Sequence, residues 1–223
     1  MFVARRCLAA GAAILALGLS GRAGWADDAI RGAKRVRSLQ EVRSSEVVRQ
    51  HWDLSCGAAA IATLLSYQLG DPVSERQVAT DLLHRTDPVI VRLRLGFSLL
   101  DLKRYAESRG FAATGYGNLT LDELIAMAPA IVPIHANGFD HFVVVRGRHG
   151  DRVLLADPAF GNRTMTLDDF RAAWPNRIGF IVHPPGQPHS PNRMGAPAEL
   201  FAVPTAMAVR AAEGAARGIG SAP

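Results

Sequence analysis

The sequence predicts an α+β domain in which an N-terminal helical half packs on a C-terminal antiparallel sheet. Helix-start signals lie between residues 53 and 123, whereas short β-branched or alternating runs follow Pro129. Helices that precede strands in this way are typical of α+β folds. With 223 residues, 48% of them hydrophobic and 20% charged, the chain can bury one sizeable core.

Capping residues mark the start of each helix in the first half. Asp53 or Ser55 can cap a helix over 58–69, which Gly70 ends. Capping boxes at Ser74-Glu-Arg-Gln77 and Thr120-Leu-Asp-Glu123 start two more helices, and Ser98 caps another that runs to Arg109. Between them, Arg92 and Arg94 alternate with apolar residues, which indicates an exposed strand or loop edge.

Four strands are predicted in the second half, over 131–136, 142–147, 152–156 and 178–183. His149-Gly150-Asp151 has the composition of a hairpin turn between the second and third of them. A short helix that Thr166 caps and that runs through Trp174 interrupts the sheet before its last strand. The result is an antiparallel sheet.

The residues Gln50, Cys56, His141 and Asp157, in this order, predict acyl-transfer chemistry. A thiol, an imidazole and a carboxylate supply the nucleophile, the general base and the group that orients the base, and a glutamine amide can stabilise the oxyanion. Cys56 falls in the first turn of its helix, where the helix dipole favours the thiolate. The hairpin at Gly150 brings His141 and Asp157 to one sheet edge. The set suggests peptide-bond cleavage.

Each of these residues also has an ordinary structural reading. Cys56 alone could be a small buried hydrophobic residue, His141 a surface histidine at a strand end, and Asp157 the start of a turn before Pro158. Their joint spacing favours catalysis. His51 and Trp52 are interpreted as local packing or solvent residues.

Residues 1–26 have the pattern of a cleaved signal peptide. Arg5 and Arg6 precede an uncharged run over 7–21, which falls short of the roughly 20 residues that span a bilayer, and Gly24-Trp25-Ala26 fits a cleavage site. The mature protein is expected in the periplasm, without a stable membrane span. The expected organisation is an extension over 27–42, a peptidase domain over 43–183, and a flexible tail over 184–223 that is rich in Pro, Ala and Gly.

Charge and metal-ligand spacing exclude other function classes. Residues 1–26 hold three arginines and no acidic residue, so their removal lowers the formal net charge from +5 to about +2. With no lysine-rich tract and interleaved aromatics, nucleic-acid binding is not expected. Cys56 is the single cysteine beyond residue 26, and the histidines lack metal-ligand spacing, so no disulfide, metal or cofactor is predicted.

The segments Gln50-x5-Cys56-Gly57, Asp140-His141-Phe142 and Asp157-Pro158 resemble those of the bacteriocin-processing cysteine peptidases, the papain-like domains of peptide-exporting ABC transporters. The resemblance covers roughly residues 43–183. It implies a papain-like fold, with Gln50 as the oxyanion donor, Cys56 as the nucleophile, His141 as the base and Asp157 as its orienter, and it implies cleavage after a double glycine.

The export signal, and the absence of transporter segments after the domain, set this sequence apart from leader peptidases fused to transporters. It resembles instead the stand-alone exported peptidase-like component of functional-amyloid secretion systems, whose partner would be a fibre subunit or a part of the secretion apparatus. Two alternatives remain open. One is a non-cleaving module that holds a peptide in the same cleft, and the other is a papain-like acyltransferase or amidase.

Overall fold

The structure is a computed structural model that describes residues 38–136, 138–188 and 190–201. Its helices are α1 (Leu39–Ser44), α2 (Cys56–Thr63), α3 (Glu75–Arg85), α4 (Pro88–Leu93), α5 (Leu99–Ser108), α6 (Leu121–Ala126) and α7 (Leu167–Ala173). Its strands are β1 (Ala112–Tyr116), β2 (Ala130–Ala136), β3 (Phe139–His149), β4 (Arg152–Asp157), β5 (Gly161–Thr166) and β6 (Gly179–His183). The strands form one antiparallel sheet in the order β1-β6-β2-β3-β4-β5. The predicted α+β class is confirmed.

The sheet is buried on both faces. In β3, Val144 belongs to the core that the sheet forms with α2, α3 and α5, whereas Val143 and Val145 belong to a second core with α6 and α7. A strand with two covered faces needs apolar residues at successive positions, not only at alternate ones. This accounts for the uninterrupted valine run that follows His141 and Phe142.

The predicted caps explain where most helices start. Ser74, Ser98 and Thr120 each accept a hydrogen bond from the backbone three residues later, and the side chain at that position bonds back to the cap residue. Each capping box satisfies two backbone donors that a helix start otherwise leaves unpaired. The helix predicted over 58–69 begins at Cys56, and its last turn, Leu64–Gln68, is π-helical.

Several elements differ from the prediction, among them the helix α1, which was not predicted. The segment with Arg92 and Arg94 is not a strand or loop edge, because it lies in and just after α4, which starts where Asp87 accepts the Val89 N–H and Pro88 takes the first helical position. Strands β1 and β5 were not predicted. Their sequences, Ala-Ala-Thr-Gly-Tyr and Gly-Asn-Arg-Thr-Met-Thr, have few large apolar residues, and pairing with β6 and β4 holds them in the sheet.

The chain after His183 packs back on the domain instead of leaving it. Gln68 donates to the Pro191 carbonyl at 2.8 Å and accepts from the Arg193 N–H at 2.8 Å. Met194 is 2% exposed within the first core. The linker composition of the residues after His183 predicts a domain end near His183, but individual contacts of residues 191–194 hold that segment on the domain. The predicted signal peptide, most of the 27–42 extension and residues 202–223 lie outside the described residues.

Candidate active site

Cys56 is the first residue of α2 and is 8% exposed. The small residue Gly57 lets the helix approach β3, because a Cβ atom at this position would lie 3.3 Å from the Phe142 ring. Phe142 directly follows His141 in the chain. The close approach of α2 and β3 therefore sets the thiol beside the imidazole.

The β3–β4 hairpin brings His141 and Asp157 together. Gly150 and Asp151 form the turn, and the strand pairing ends with Val144 opposite Ala156. Beyond that pair, His141 Nε2 lies 2.8 Å from Asp157 Oδ1. His141 is the third residue of its strand rather than the first, but the juxtaposition is the one that the hairpin register predicts.

Hydrogen bonding sets the ionisation of His141. Burial lowers its pKa, but hydrogen bonds to Asp157 and Cys56 and the charges of these two groups raise it more, to about 9. Asp157 occupies Nε2, which leaves Nδ1 as the ring nitrogen available to the thiol. The imidazole is therefore protonated at neutral pH.

Asp157 is fully buried and has more partners than His141 alone. Its Oδ1 also accepts the Ala159 N–H at 2.8 Å, and its Oδ2 accepts from Arg163 Nε at 2.6 Å. Burial raises the pKa of Asp157, but hydrogen bonds and charges from His141 and Arg163 lower it by more. The net pKa is below the ordinary value, so the carboxylate stays ionised. Arg163 is not among the predicted site residues, because the strand that carries it was not predicted.

Gln50 forms hydrogen bonds both to the turn that follows Asp157 and to the loop that precedes Cys56. Its backbone N–H donates to the Pro158 carbonyl at 2.9 Å, and its Nε2 donates to the Trp52 carbonyl at 3.1 Å. Its Oε1 is buried without a hydrogen-bond partner. Because Nε2 carries two protons, one N–H remains for another acceptor after the bond to Trp52.

Glu75, the first residue of α3, accepts hydrogen bonds from the loop between His51 and Ser55. Glu75 Oε1 accepts the His51 backbone N–H at 2.8 Å and also the Ser55 hydroxyl, while Oε2 lies 2.8 Å from His51 Nδ1. Ser55 occupies the N-cap position of α2, but its hydroxyl does not cap that helix. Its position in a capping box predicts only that Glu75 lies at a helix start.

An apolar groove of about 280 Å³ adjoins the loop. Its lining includes Trp52, Leu54, Ser55, Leu83, Val91 and Phe97. Trp52, interpreted from the sequence as a local packing or solvent residue, is 47% exposed and lines this groove. Ser55, which lines the groove, directly precedes Cys56 in the chain.

Within residues 38–136, 138–188 and 190–201, the structure has no group of three or more His, Cys, Asp or Glu residues placed to hold a metal ion. In the same ranges, none of the helices has the length and apolar character needed to cross a membrane.

Comparison with known proteins gives one matching family. Residues 44–185 match the profile described as the peptidase C39 family. The probable functional amyloid protease FapD of Pseudomonas aeruginosa is 42% identical over 149 residues, which are 67% of this chain and 65% of that protein. FapD of Pseudomonas fluorescens is 41% identical over 150 residues, with the same coverage of 67% and 65%. The chain thus matches just under two thirds of the length of these relatives.

A solved structure with the same fold is a double glycine motif protease from an AMS/PCAT transporter, in complex with its leader peptide. It is 28% identical, has a TM-score of 0.52, and the match covers 62% of this chain and 90% of that structure. The predicted papain-like fold and the resemblance to bacteriocin-processing peptidases are confirmed.

Proposed function

This chain belongs to the peptidase C39 family, and from that premise we propose that it is a cysteine endopeptidase whose nucleophile is Cys56. The observation that carries the proposal is the position of His141, whose Nε2 lies 2.8 Å from the buried Asp157 carboxylate and whose pKa is raised by both Asp157 and Cys56. A surface histidine or a structural cysteine needs no such arrangement. A base that interacts with both a nucleophile and an orienting carboxylate is the signature of covalent acyl transfer.

The reaction follows from these contacts. The Cys56 thiolate attacks the carbonyl carbon, and the carbonyl electron pair moves onto oxygen. When the intermediate collapses, the C–N bond breaks, the leaving amine takes a proton from His141, and an acyl thioester remains on Cys56. His141 then takes a proton from water, whose oxygen attacks the thioester and releases the carboxylic acid and the thiolate.

Asp157 and Gln50 support these steps without forming bonds to carbon. Asp157 holds the His141 ring in one orientation and stabilises its positive charge. The amide of Gln50 is proposed to donate its free N–H to the oxyanion, a contact that is strongest in the tetrahedral state. Interactions made mainly in the transition state raise the rate of the chemical step.

The proposed substrate is a peptide segment with glycine before the cut bond. Support comes from the solved neighbour, a double glycine motif protease bound to its leader peptide. The groove beside Ser55 offers apolar surface of a size that accepts one or two large side chains of that segment. The biological setting we propose is amyloid secretion in the periplasm, supported by the FapD relatives and by the signal-peptide pattern of residues 1–26.

Digestion of synthetic peptides tests the proposal. The purified protein is incubated with a 20-residue peptide that carries Gly-Gly near its centre, and with a matched peptide that carries Ala-Ala instead. Mass spectrometry identifies the products for wild type and for Cys56→Ala, and a second reaction contains a high concentration of glycinamide as a competing amine.

One cut after the second glycine, by wild type alone, is the expected result. Capture of the acyl group by glycinamide in preference to water would indicate an acyltransferase instead. Tight binding of the Gly-Gly peptide by both proteins without any cut would indicate a binding module.

A further inference from the structure

We propose that Glu75 is a positioning residue that holds the loop 51–55 so that Gln50 presents its amide to the oxyanion. This inference rests on the proposed function, since an oxyanion forms only if Cys56 attacks a carbonyl carbon. It assigns a role to a buried acidic group on α3, a helix that contributes none of the four predicted catalytic residues.

The environment of Glu75 is unusual for a carboxylate. Its side chain is 3% exposed, and a buried charge is costly unless donors surround it. The donors are the His51 backbone N–H, the His51 ring and the Ser55 hydroxyl, all of them in the loop between Gln50 and Cys56. One carboxylate therefore fixes both ends of this loop.

The same loop fixes the Gln50 amide. The Trp52 carbonyl accepts the Ser55 N–H at 3.2 Å and the Gln50 Nε2 at 3.1 Å. Ser55 thus connects Glu75 to the carbonyl group that orients Gln50. Without the hydrogen bonds from Ser55 and His51 to Glu75, the Trp52 carbonyl could rotate, and the Gln50 amide that bonds to it would rotate as well.

Ionisation supports this geometry. Burial raises the pKa of Glu75, but hydrogen bonds from Ser55 and His51 lower it by more. The net pKa is below the ordinary value, so Glu75 stays an anion at neutral pH. Hydrogen bonds to an ionised acceptor are about twice as strong as those between neutral groups. An isosteric amide at this position keeps the shape but loses the charge.

The predicted defect is specific to steps that form an oxyanion. Alkylation of a thiolate by iodoacetamide displaces iodide from a tetrahedral carbon and forms no oxyanion, so it reports on Cys56 and His141 alone. Addition of the thiolate to a peptide aldehyde converts the carbonyl oxygen to an oxyanion, so its affinity also reports on the Gln50 amide.

The experiment measures both quantities on the full chain, using acetyl-glycyl-glycinal as the aldehyde and its protection of Cys56 from iodoacetamide as the binding assay. The variants are Glu75→Gln, Gln50→Ala and the double variant. Glu123→Gln is the control, because Glu123 also lies in the first turn of a helix but accepts its hydrogen bonds from its own N-cap residue, Thr120. Circular dichroism establishes that each variant is folded.

We expect Glu75→Gln to raise the aldehyde Kd by about 10- to 100-fold while the alkylation rate stays within about twofold. In the Gln50→Ala background, Glu75→Gln should change the Kd by less than about twofold, because both residues act through one contact. Ser55→Ala removes one of the Glu75 contacts and should raise the Kd in the same direction, which keeps the inference testable if Glu75→Gln does not fold.

Three results would overturn the inference. They are an unchanged aldehyde Kd in the Glu75→Gln and Ser55→Ala variants, an equal loss of alkylation rate, or a full additional effect in the Gln50→Ala background. A wild-type protein that alkylates rapidly but does not bind the aldehyde would contradict the proposed function itself, and the inference with it.

Discussion

His141 Nε2 lies 2.8 Å from Asp157 Oδ1, and the two residues come from strands that a turn of Gly150 and Asp151 joins. The side chain of Asp157 is 0% exposed and that of His141 is 16% exposed, so little water competes for the bond. A hairpin with fixed register therefore determines the ionisation of a residue at the candidate site. The pH dependence of the protein should follow from this pair.

Asp157→Asn should lower the pKa of His141 from its value of about 9, because the hydrogen bond and charge of Asp157 both raise it. The leaving amine needs a protonated His141, so the alkaline limb of the kcat/KM profile should move to lower pH. The maximum kcat/KM should fall by about 10²- to 10⁴-fold. Asp168→Asn, at an exposed position in α7, provides the control and should leave the profile unchanged. An alkaline limb that stays in place in Asp157→Asn would refute the assigned coupling.

Arg163→Met should weaken the fold more at pH 7 than at pH 3. The pKa of Asp157 lies below its ordinary value of 3.8. Its ion pairs therefore stabilise the folded state at pH values above 3.8, and this stabilisation is lost as the pH falls and the carboxylate of the folded protein is protonated. Without Arg163 that contribution is smaller. We expect a loss of about 1–3 kcal/mol in the free energy of unfolding at pH 7, measured by urea titration.

Arg171→Met is the matched control for Arg163, because Arg171 pairs with the exposed Asp168 on the surface of α7. Its effect should stay within about 0.5 kcal/mol at either pH. If the two arginine variants lost the same stability at pH 7, the Arg163–Asp157 contact would have no special role.

Gly161→Ala should destabilise the turn that follows Asp157. Gly161 has φ of +80°, and a Cβ atom there would overlap the Arg43 carbonyl oxygen. The left-handed backbone costs an alanine on the order of 1 kcal/mol, and the overlap adds to that. Gly150→Ala is the comparison, since Gly150 also has a positive φ of +58° but open space around it. Equal losses for both variants in a urea titration would count against the packing of Arg43 on this turn.

Truncation tests whether the segment after His183 belongs to the domain. A chain ending at His183 would lack Met194, which is buried in the core. It would also lack the carbonyl groups to which the buried Arg146 and Gln68 side chains donate hydrogen bonds. Arg146 would keep its ion pair with Glu46 but lose the Met194 and Gly195 carbonyls, and each buried donor left without a partner costs about 1–3 kcal/mol. We expect the chain ending at His183 to unfold at a clearly lower urea concentration than one ending at Phe201, whereas superimposable curves would support the shorter domain.

Local sequence signals account for much of the fold. The boxes at Ser74, Ser98 and Thr120 predict helix starts because a cap and its partner lie three residues apart. The valine run of β3 and the turn at Gly150 likewise need no knowledge of the rest of the chain. The same hairpin predicts that His141 and Asp157 meet.

Contacts between distant residues account for what the sequence did not predict. Arg163 reaches Asp157 from an edge strand whose own residues have weak strand propensity. Glu75 contacts residues 20 and 24 positions earlier in the chain, and its place in a capping box suggested only a helix start. Such roles depend on tertiary packing, which a local pattern does not contain.

Intact-mass spectrometry of an acid-quenched reaction tests the central claim most directly. Wild type, Cys56→Ala and His141→Ala are mixed with the Gly-Gly peptide, and samples are quenched with acid over the first turnovers. Wild type should gain the mass of the N-terminal peptide fragment on Cys56 while the C-terminal fragment is released, Cys56→Ala should gain nothing, and His141→Ala should gain it at least about 10²-fold more slowly. Cleavage by Cys56→Ala, or wild-type cleavage with peptide mass on another residue, would contradict a thioester at Cys56.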